Sequence, residues 1–269
     1  MKIEAVLTPA ELPALKGCDL RDVACVVFDV LRATSTFVTA LHNGAKAIVP
    51  VSEIPEALAV RQKQPDVLLG GERDGVIIRA AQTGGVDFDF GNSPREYTPE
   101  KVRGKTIVST TTNGTRALRT CAGARMVLAA SFLNLAATAK FLRQLSPPQI
   151  MIVCAGTREN TALEDVLAAG ALCEILNAPL APSLSPPGRG EAVRRAGERL
   201  QLSDSAEIAQ RVYTQAKSDL AATVRTSENA QRLLSIPKLR DDVPFCLQRD
   251  SFPIVVKRTE DGVTFVPAS

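Results

Sequence analysis

Short apolar stretches rich in β-branched residues alternate with helical patterns as far as residue 176. The clearest strand candidates are residues 23–29, 105–109, 125–129 and 150–154. Each is followed by a segment in which the apolar residues have helical spacing. Parallel strands need helical crossovers of this kind, and those helices cover both faces of the sheet. The alternation therefore predicts a three-layer α/β/α fold with a mixed, mainly parallel sheet.

The 269 residues are predicted to form one domain. Apolar residues make up 45% of the chain and there is no Trp, so the core is built from Ala, Val, Leu and Ile, as in buried parallel sheets. The Pro/Gly-rich stretch 178–190 indicates a flexible surface loop or a disordered insert. Beyond it we expect a mostly helical part, 201–240, a strand over 245–256 and a last hairpin around Asp261 and Gly262. This tail is expected to cover one side of the sheet.

Composition argues against several classes of partner. The net charge is only +3, and no basic stretch is interleaved with aromatic residues, so nucleic acid is not an expected partner. No apolar run approaches the ~20 residues of a membrane span. The six cysteines form no CxxC pair, which is typical of reduced thiols in a cytoplasmic protein. Ala-rich helices and the general frequency of two-fold assemblies make a homodimer a possible state.

Polar, mostly glycine-containing loops follow four of the predicted strands, at 29–36, 70–73, 109–115 and 154–165. The carboxyl ends of parallel strands meet at one edge of the sheet, where such folds bind their ligands. The four loops are therefore predicted to build a single site.

Three carboxylates in these loops are the predicted metal ligands: Asp29, Glu72 and Asp165. Hard oxygen donors beside an anion-binding helix start suit Mg²⁺, which would bridge the protein and a phosphate. Structural roles are the alternative, because Asp29 could pair with Arg32 and Glu72 with a neighbouring arginine.

Cations, hydroxyls and main-chain amides in the same loops are the predicted phosphate ligands. Arg32 is also predicted to be catalytic, by neutralising charge on the phosphoryl oxygens. The alternative for the hydroxyls and the Asn-Gly turn is helix capping. Besides Arg32, the candidates are Thr34, Ser35, Thr36, Asn113, Gly114, Thr115, Arg158 and Arg73.

Three further motifs are weaker candidates. Cys154 and Arg158 resemble a thiol-phosphatase loop, but their spacing is shorter than in those enzymes. Asp87 and Asp89 resemble the paired aspartates of haloacid-dehalogenase-type phosphatases, but they follow glycines instead of an apolar strand. Glu164 fits the last position of a capping box, which would make it structural.

Seven motifs, in order along nearly the whole chain, resemble the 2-phosphosulfolactate phosphatase family. Two stretches depart from the family pattern without removing a motif residue: 79–86 is longer than expected, and 178–190 resembles an insertion. The motifs are FDVLRATST at 28–36, GER at 71–73, FDFGNSP at 88–94, TTNGT at 111–115, CAGT at 154–157, LEDVLAAG at 163–170 and DVPFCLQRDS at 242–251.

The resemblance implies an α/β fold distinct from the common phosphatase classes. It also implies an Mg²⁺-dependent phosphatase that converts phosphosulfolactate to sulfolactate and phosphate in coenzyme M biosynthesis. In that reading Asp29 is the preferred nucleophile, although a water could attack instead. The alternatives are a phosphatase for a different phosphorylated small acid and a non-catalytic sensor of phosphorylated metabolites.

Overall fold

The computed structural model describes residues 1–178 and 200–268. Within these ranges eleven strands form one sheet, in the order β5-β4-β6-β3-β11-β10-β7-β2-β8-β1-β9. The strands are β1 Lys2–Val6, β2 Val23–Phe28, β3 Ala47–Pro50, β4 Leu68–Arg73, β5 Val76–Ile77, β6 Thr106–Thr110, β7 Met126–Ala130, β8 Gln149–Cys154, β9 Gln201–Leu202, β10 Val256–Arg258 and β11 Phe265–Pro267.

Helices connect the strands and cover the sheet. Gly44, with φ of +93°, follows α2 and ends it, because a left-handed backbone conformation suits glycine. The α-helices are α1 Leu12–Leu15, α2 Ala33–His42, α3 Ile54–Lys63, α4 Ala80–Thr83, α5 Pro99–Val102, α6 Gly114–Thr120, α7 Leu135–Leu145, α8 Leu163–Asn177, α9 Asp204–Ala216, α10 Leu220–Arg225, α11 Glu228–Ser235 and α12 Asp242–Cys246. Short 3-10 turns are Pro9–Glu11, Pro94–Glu96, Phe132–Asn134 and Lys217–Asp219.

Two cores, one on each face, enclose the central strand β2. Its alternate residues Ala24, Val26 and Phe28 belong to the core that contains α7, α8 and α9. Val23, Cys25 and Val27 belong to the core that contains α2 and α6. Every residue of β2 is buried, as in the parallel strands of α/β proteins. The predicted three-layer α/β/α fold is confirmed.

The sheet is mixed because a C-terminal hairpin enters its middle. Strands β10 and β11 pair antiparallel with each other, β10 pairs antiparallel with β7, and β11 pairs antiparallel with β3. On either side lie two parallel groups, β4-β6-β3 and β7-β2-β8-β1-β9. The hairpin near Asp261 was predicted, but its place was not: it joins the two halves of the sheet instead of covering one side.

Two other expectations for the C-terminal part have different outcomes. The segment 201–240 contains α9, α10 and α11. The strand predicted over 245–256 is wrong, because Asp242–Cys246 is helical and the strand begins only at Val256. Apart from residue 178, the Pro/Gly-rich stretch 178–190 lies outside the described residues. No helix in the described ranges has the length and apolarity needed to cross a membrane.

Candidate active site

The four polar loops meet at the carboxyl edge of the sheet. Val30 N, after β2, donates to Asp165 Oδ1 at 2.8 Å, and Gly156 N, after β8, donates to Asp165 Oδ2 at 3.0 Å. Thr112 N, after β6, donates to Glu72 Oε1 in β4 at 3.0 Å. The bonds of Val30 and Thr112 connect the loops in two pairs, and the close approach of Gly114 to Asp29 joins the pairs, so the predicted convergence is confirmed.

Asp29 is a buried carboxylate whose pKa lies near neutrality. It lies directly after β2 and is only 8% exposed. Burial, followed by the charges of Glu72 and Glu164, raises the pKa of Asp29 to about 7. Ala33 N donates to its Oδ1 at 3.0 Å. A Cβ added to Gly114 would lie 2.7 Å from its Oδ2, so the glycine lets the β6 loop approach the carboxylate.

Glu72 is held by main-chain and hydroxyl donors on both of its oxygens. Oε1 accepts from Thr112 N and Oγ1, and Oε2 accepts from Gly75 N at 2.7 Å. Arg73, the predicted cationic neighbour, instead donates to Thr110 Oγ1 at 3.0 Å and to the Glu72 carbonyl oxygen at 2.7 Å. These bonds fix Glu72 in the site and hold Arg73 against the end of β6.

The structure contradicts the capping role predicted for Glu164, whereas the metal-binding role predicted for Asp165 stays a prediction. The helix α8 begins at Leu163 with Ala162 at the N-cap, and no side chain caps it. The predicted capping box is therefore wrong. Asp165 is bonded by two main-chain amides, and burial, then the charges of Asp29 and Glu164, raise its pKa well above the usual range.

Glu164 is fully buried and only half satisfied. Its Oε1 accepts a hydrogen bond from Asn229 Nδ2 at 3.0 Å. Its Oε2 has no hydrogen-bond partner among the described residues. A buried carboxylate oxygen without a donor is costly, so this oxygen marks a place where a cation would be stabilised. From the sequence, Glu164 was predicted only as a helix-capping residue, and its place among the site carboxylates was not predicted.

Arg32 forms a buried ion pair. Its Nη1 donates to Asp242 Oδ2 at 2.8 Å and its Nη2 to the Gly75 carbonyl oxygen at 2.7 Å. Ser93 Oγ donates to the other oxygen of Asp242 at 2.6 Å. Arg32 thus connects the β2 loop to α12 and to the turn after β4. Its contact with phosphate stays a prediction.

The hydroxyls of Thr34, Ser35 and Thr36 are buried. Each donates to a main-chain carbonyl oxygen within the fold, at 2.8–2.9 Å. In the same order, the acceptors are the carbonyl oxygens of Asp29, Val30 and Asn92. The structure therefore supports a role in fixing the start of α2, and phosphate binding by these hydroxyls stays a prediction.

A cleft of about 70 Å³ lies beside the carboxylates. Two predicted phosphate ligands, Asn113 and Arg158, line it, whereas Thr115 is buried against Thr111 at 3.1 Å between hydroxyl oxygens. Arg73 is not among the lining residues. The cleft is lined by Asp74, Thr112, Asn113, Thr157, Arg158, Glu228, Asn229 and Arg232.

The C-terminal part supplies site residues that the sequence analysis missed. Asn229 Nδ2 donates to Glu164 and to the Leu31 carbonyl oxygen, and Arg232 Nη2 donates to Asn229 Oδ1 at 2.7 Å. Asp242, the partner of Arg32, opens the last family-like motif, which was the only signal for it. The polar spacing of Asn229 and Arg232 on one face of α11 was the only local signal for those two.

The weaker nucleophile candidates lie apart from these carboxylates or are unsuited to attack. Cys154 is fully buried, and burial, then the charge of Asp165, raises the pKa of its thiol well above the usual range. A thiolate is therefore disfavoured there. Asp87 Oδ1 accepts from Ala80 N, and Asp89 forms an ion pair with Arg61.

Carboxylate oxygens that accept no hydrogen bond from the protein are the ones available to bind Mg²⁺. In the described ranges no three His, Cys, Asp or Glu side chains form a ready-made metal group. Protein-bound Mg²⁺ commonly uses only one or two carboxylates, with waters and substrate phosphate completing its shell. No described residue donates to Glu164 Oε2 or to Asp29 Oδ2. These hard oxygen donors fit the ion.

Known sequences resemble this chain over most of its length. The sequence profile of the family described as 2-phosphosulpholactate phosphatase matches residues 7–261. A probable 2-phosphosulfolactate phosphatase of Thermotoga petrophila is 40% identical over 230 residues, 86% of each chain. A relative with the same description in Caldanaerobacter subterraneus is 37% identical over 241 residues, 89% of each chain. Another, in Clostridium acetobutylicum, is 35% identical over 264 residues, which are 98% of this chain and 100% of the relative.

Together, the fold, the carboxylates and these matches place the chain among the phosphoric monoester hydrolases. Within that class it belongs to the 2-phosphosulfolactate phosphatase family.

Proposed function

We propose that this chain hydrolyses a phosphate monoester of a small organic acid with the help of Mg²⁺. The reaction for which its relatives are named, release of phosphate from 2-phosphosulfolactate to leave sulfolactate, is the proposed one. The observation that carries the proposal is the Oε2 of Glu164, which has no partner in the described part of the chain and is fully buried within reach of the Asp29 charge.

Glu164 and Asp29 are the residues proposed to hold the metal, with Glu72 and Asp165 close enough to contribute charge. When bound, Mg²⁺ supplies charge neutralisation at the phosphoryl oxygens and lowers the pKa of a bound water. Without a cation, the four acids would repel a phosphate monoester. A pure phosphate-binding protein has no use for such a cluster, so the acids support an enzyme over a sensor.

Asp29 is the proposed reacting carboxylate. A pKa of about 7 means that a large fraction of the group can hold or release a proton at neutral pH, as acid–base and nucleophilic groups require. The Ala33 amide fixes one oxygen, and Gly114 lies against the other. The carboxylate is therefore oriented before substrate arrives.

Of the remaining predicted ligands, Asn113 and Gly114 would hold the phosphate from the β6 loop. Asn113 lines the cleft, and Thr112 donates to Glu72 on the same loop. Arg32 would position Glu72. Its guanidinium donates to the Gly75 carbonyl oxygen, and the Gly75 amide donates to Glu72.

The test is phosphate release from a panel of phosphorylated small acids, with and without Mg²⁺. We expect Mg²⁺-dependent turnover that falls at least 100-fold in Asp29→Asn and in Glu164→Gln. The control is Asp87→Asn, because Asp87 is exposed and bonds only the Ala80 amide among the described residues. Near-wild-type turnover in both site variants would refute the proposal.

The same assay separates the alternatives. Micromolar binding of the phosphorylated acids without turnover would support the sensor, and loss of turnover in Cys154→Ala would support a cysteine mechanism. A cytoplasmic location, a homodimeric state and a place in coenzyme M biosynthesis stay predictions of the sequence.

A further inference from the structure

The amide of one side chain in α11 joins two elements of the carboxylate site. Ser227 Oγ, at the N-cap, accepts from Ala230 N at 3.2 Å and fixes the start of this helix. Asn229 lies in the first turn and is only 6% exposed. Its Nδ2 donates to Glu164 Oε1 at 3.0 Å and to the Leu31 carbonyl oxygen at 2.6 Å. Asn229 therefore connects α8 to the loop after β2.

The hydrogen bonds of Asn229 favour a single orientation of its amide. A carboxamide offers two N–H donors and one acceptor oxygen. Both donors face acceptors, whereas Oδ1 accepts from Arg232 Nη2 at 2.7 Å. A flipped amide would place its oxygen against the Glu164 carboxylate and the Leu31 carbonyl oxygen, and its NH₂ group against a guanidinium. Because both ends would then be repulsive, the Nδ2 donor is held toward Glu164.

Arg232 is itself held by the turn after β4. It lies one helical turn after Asn229, so the two side chains share one face of α11. Its guanidinium packs against Gly75, because a Cβ added to that glycine would lie 3.3 Å from Nη1. The Gly75 amide donates to Glu72 Oε2 at 2.7 Å. Helix α11 therefore contacts both the turn that fixes Glu72 and the side chain of Glu164.

A neutral donor suits the position beside Glu164. In the described ranges the only hydrogen bond to its side chain comes from the Asn229 amide, and Oε2 accepts none. An arginine in direct contact would neutralise the carboxylate, whereas an amide satisfies one oxygen and leaves the negative charge for a cation. Hydrogen bonds of this kind orient the carboxylates that bind metals in proteins. The charge of Arg232 reaches Asn229 instead of Glu164.

We propose that Asn229 is a positioning residue for the metal site: it directs Glu164 Oε2 and fixes Glu164 relative to the loop that carries Asp29. Leu31, whose carbonyl oxygen accepts from Asn229, lies two residues after Asp29. Arg232 acts through Asn229 by holding its amide in this orientation. The inference rests on the proposed function, in which Glu164 and Asp29 hold Mg²⁺, and deepens it: helix α11 sets the affinity for the metal.

The first measurement is metal affinity without substrate. The metal-free protein is titrated with Mn²⁺, which takes the same oxygen ligands as Mg²⁺, and electron paramagnetic resonance counts the free ion. Mg²⁺ is then added as a competitor. We expect Asn229→Leu, which keeps the size of the side chain but removes its donors, to raise Kd for both ions about 10- to 100-fold.

A second variant leaves Asn229 in place. Arg232→Met removes the donor that fixes the Asn229 amide, so it should raise Kd for Mn²⁺ by a smaller factor, about 3-fold, on the scale of one hydrogen bond. The matched control is Gln231→Leu, on the same helix. The Gln231 side chain is exposed and donates only to the Arg225 carbonyl oxygen among the described residues, so its loss should leave Kd unchanged.

The third measurement is the Mg²⁺ dependence of phosphate release from 2-phosphosulfolactate. Asn229→Leu should raise the Mg²⁺ concentration for half-maximal turnover about 10-fold or more, and turnover at saturating Mg²⁺ should stay within about 3-fold. A purely structural role would instead lower the turnover number and leave the half-saturating Mg²⁺ concentration unchanged. Circular dichroism shows whether each variant is folded; if Asn229→Leu is not, Arg232→Met decides alone.

The outcomes separate this inference from the proposed function. If Mn²⁺ binding depends on Asn229 but no ester is hydrolysed, the proposed hydrolysis fails and the positioning role stands. If esters are hydrolysed with Mg²⁺ but Asn229→Leu and Arg232→Met bind Mn²⁺ like the wild type, the positioning role is refuted and the proposed function stands. An equal loss of affinity in Gln231→Leu, or no metal binding by the wild type, also refutes the positioning role.

Discussion

The ion pair between Arg32 and Asp242 is among the most buried in the described chain. Their side chains are 3% and 0% exposed, and the nitrogen–oxygen distance is 2.8 Å. If Asp242→Asn removes the negative charge, the buried guanidinium of Arg32 keeps only neutral acceptors, such as the Gly75 carbonyl oxygen. Leaving one charge of such a pair uncompensated costs about 3–5 kcal/mol.

We therefore expect Asp242→Asn to lower the free energy of unfolding by about 3–5 kcal/mol, a large share of the ~5–15 kcal/mol of a typical domain. Urea unfolding followed by circular dichroism measures it as a lower midpoint at an unchanged slope. Phosphate release should fall as well, because Arg32 holds the turn whose amide donates to Glu72.

An exposed pair of nearly equal length provides the control. Arg119 and Glu56 are 2.9 Å apart, with side chains 50% and 44% exposed. Because water screens such a pair, Arg119→Gln should cost no more than about 1 kcal/mol. Burial is the main difference between the two pairs.

A double variant distinguishes unpaired charge from general disruption. Arg32→Met combined with Asp242→Asn removes both charges, so it should be more stable than Asp242→Asn alone. The reasoning is refuted if Asp242→Asn costs less than about 1 kcal/mol, or if the double variant is the less stable of the two.

Three further predictions follow from the same contacts. Burial, then neighbouring carboxylates, raises the pKa of Asp29 from 3.8 to about 7. Folding therefore takes up a proton between these values, and the metal-free protein should lose about 1.4 kcal/mol of stability per pH unit as pH rises through that window. The free energy of unfolding, measured with urea at several pH values, should change less per pH unit in Asp29→Asn than in the wild type. An equal pH dependence in the two proteins would contradict the assignment. A Cβ at Gly114 would lie 2.7 Å from Asp29 Oδ2. Gly114→Ala should therefore lower the free energy of unfolding by about 1–3 kcal/mol and abolish most of the phosphate release. Gly123→Ala is the control and should change neither quantity, because open space surrounds Gly123. Phe265→Ala, in the central hairpin and 1% exposed, should cost about 3–5 kcal/mol in urea unfolding, against less than about 1 kcal/mol for the 52% exposed Val263→Ala.

Local pattern was sufficient for the architecture because the relevant physics is local. A buried parallel strand reads as a continuous apolar run, as in 23–29, and its crossover helix has its own spacing. Once the strands are parallel, their carboxyl ends must share an edge. The meeting of the loops after β2, β4, β6 and β8 could therefore be predicted without knowing a single contact.

The place of the C-terminal hairpin could not be predicted in this way. Strands β10 and β11 pair with β7 and β3, which lie far away in sequence. Residues 245–256 are apolar enough for a strand, yet the first of them belong to α12. Tertiary packing overrides such short propensities.

The site shows the same division. The sequence by itself determined which chemical groups the strand ends carry, and Asp29, Glu72 and Asp165 do lie together. Only the tertiary structure decided which groups have partners. The main-chain amides of Val30 and Gly156 satisfy Asp165, and Asp242 neutralises Arg32, whereas one oxygen of Glu164 has no donor among the described residues. Hydrogen-bond satisfaction depends on residues that folding brings together, and for this reason no local pattern could identify Glu164.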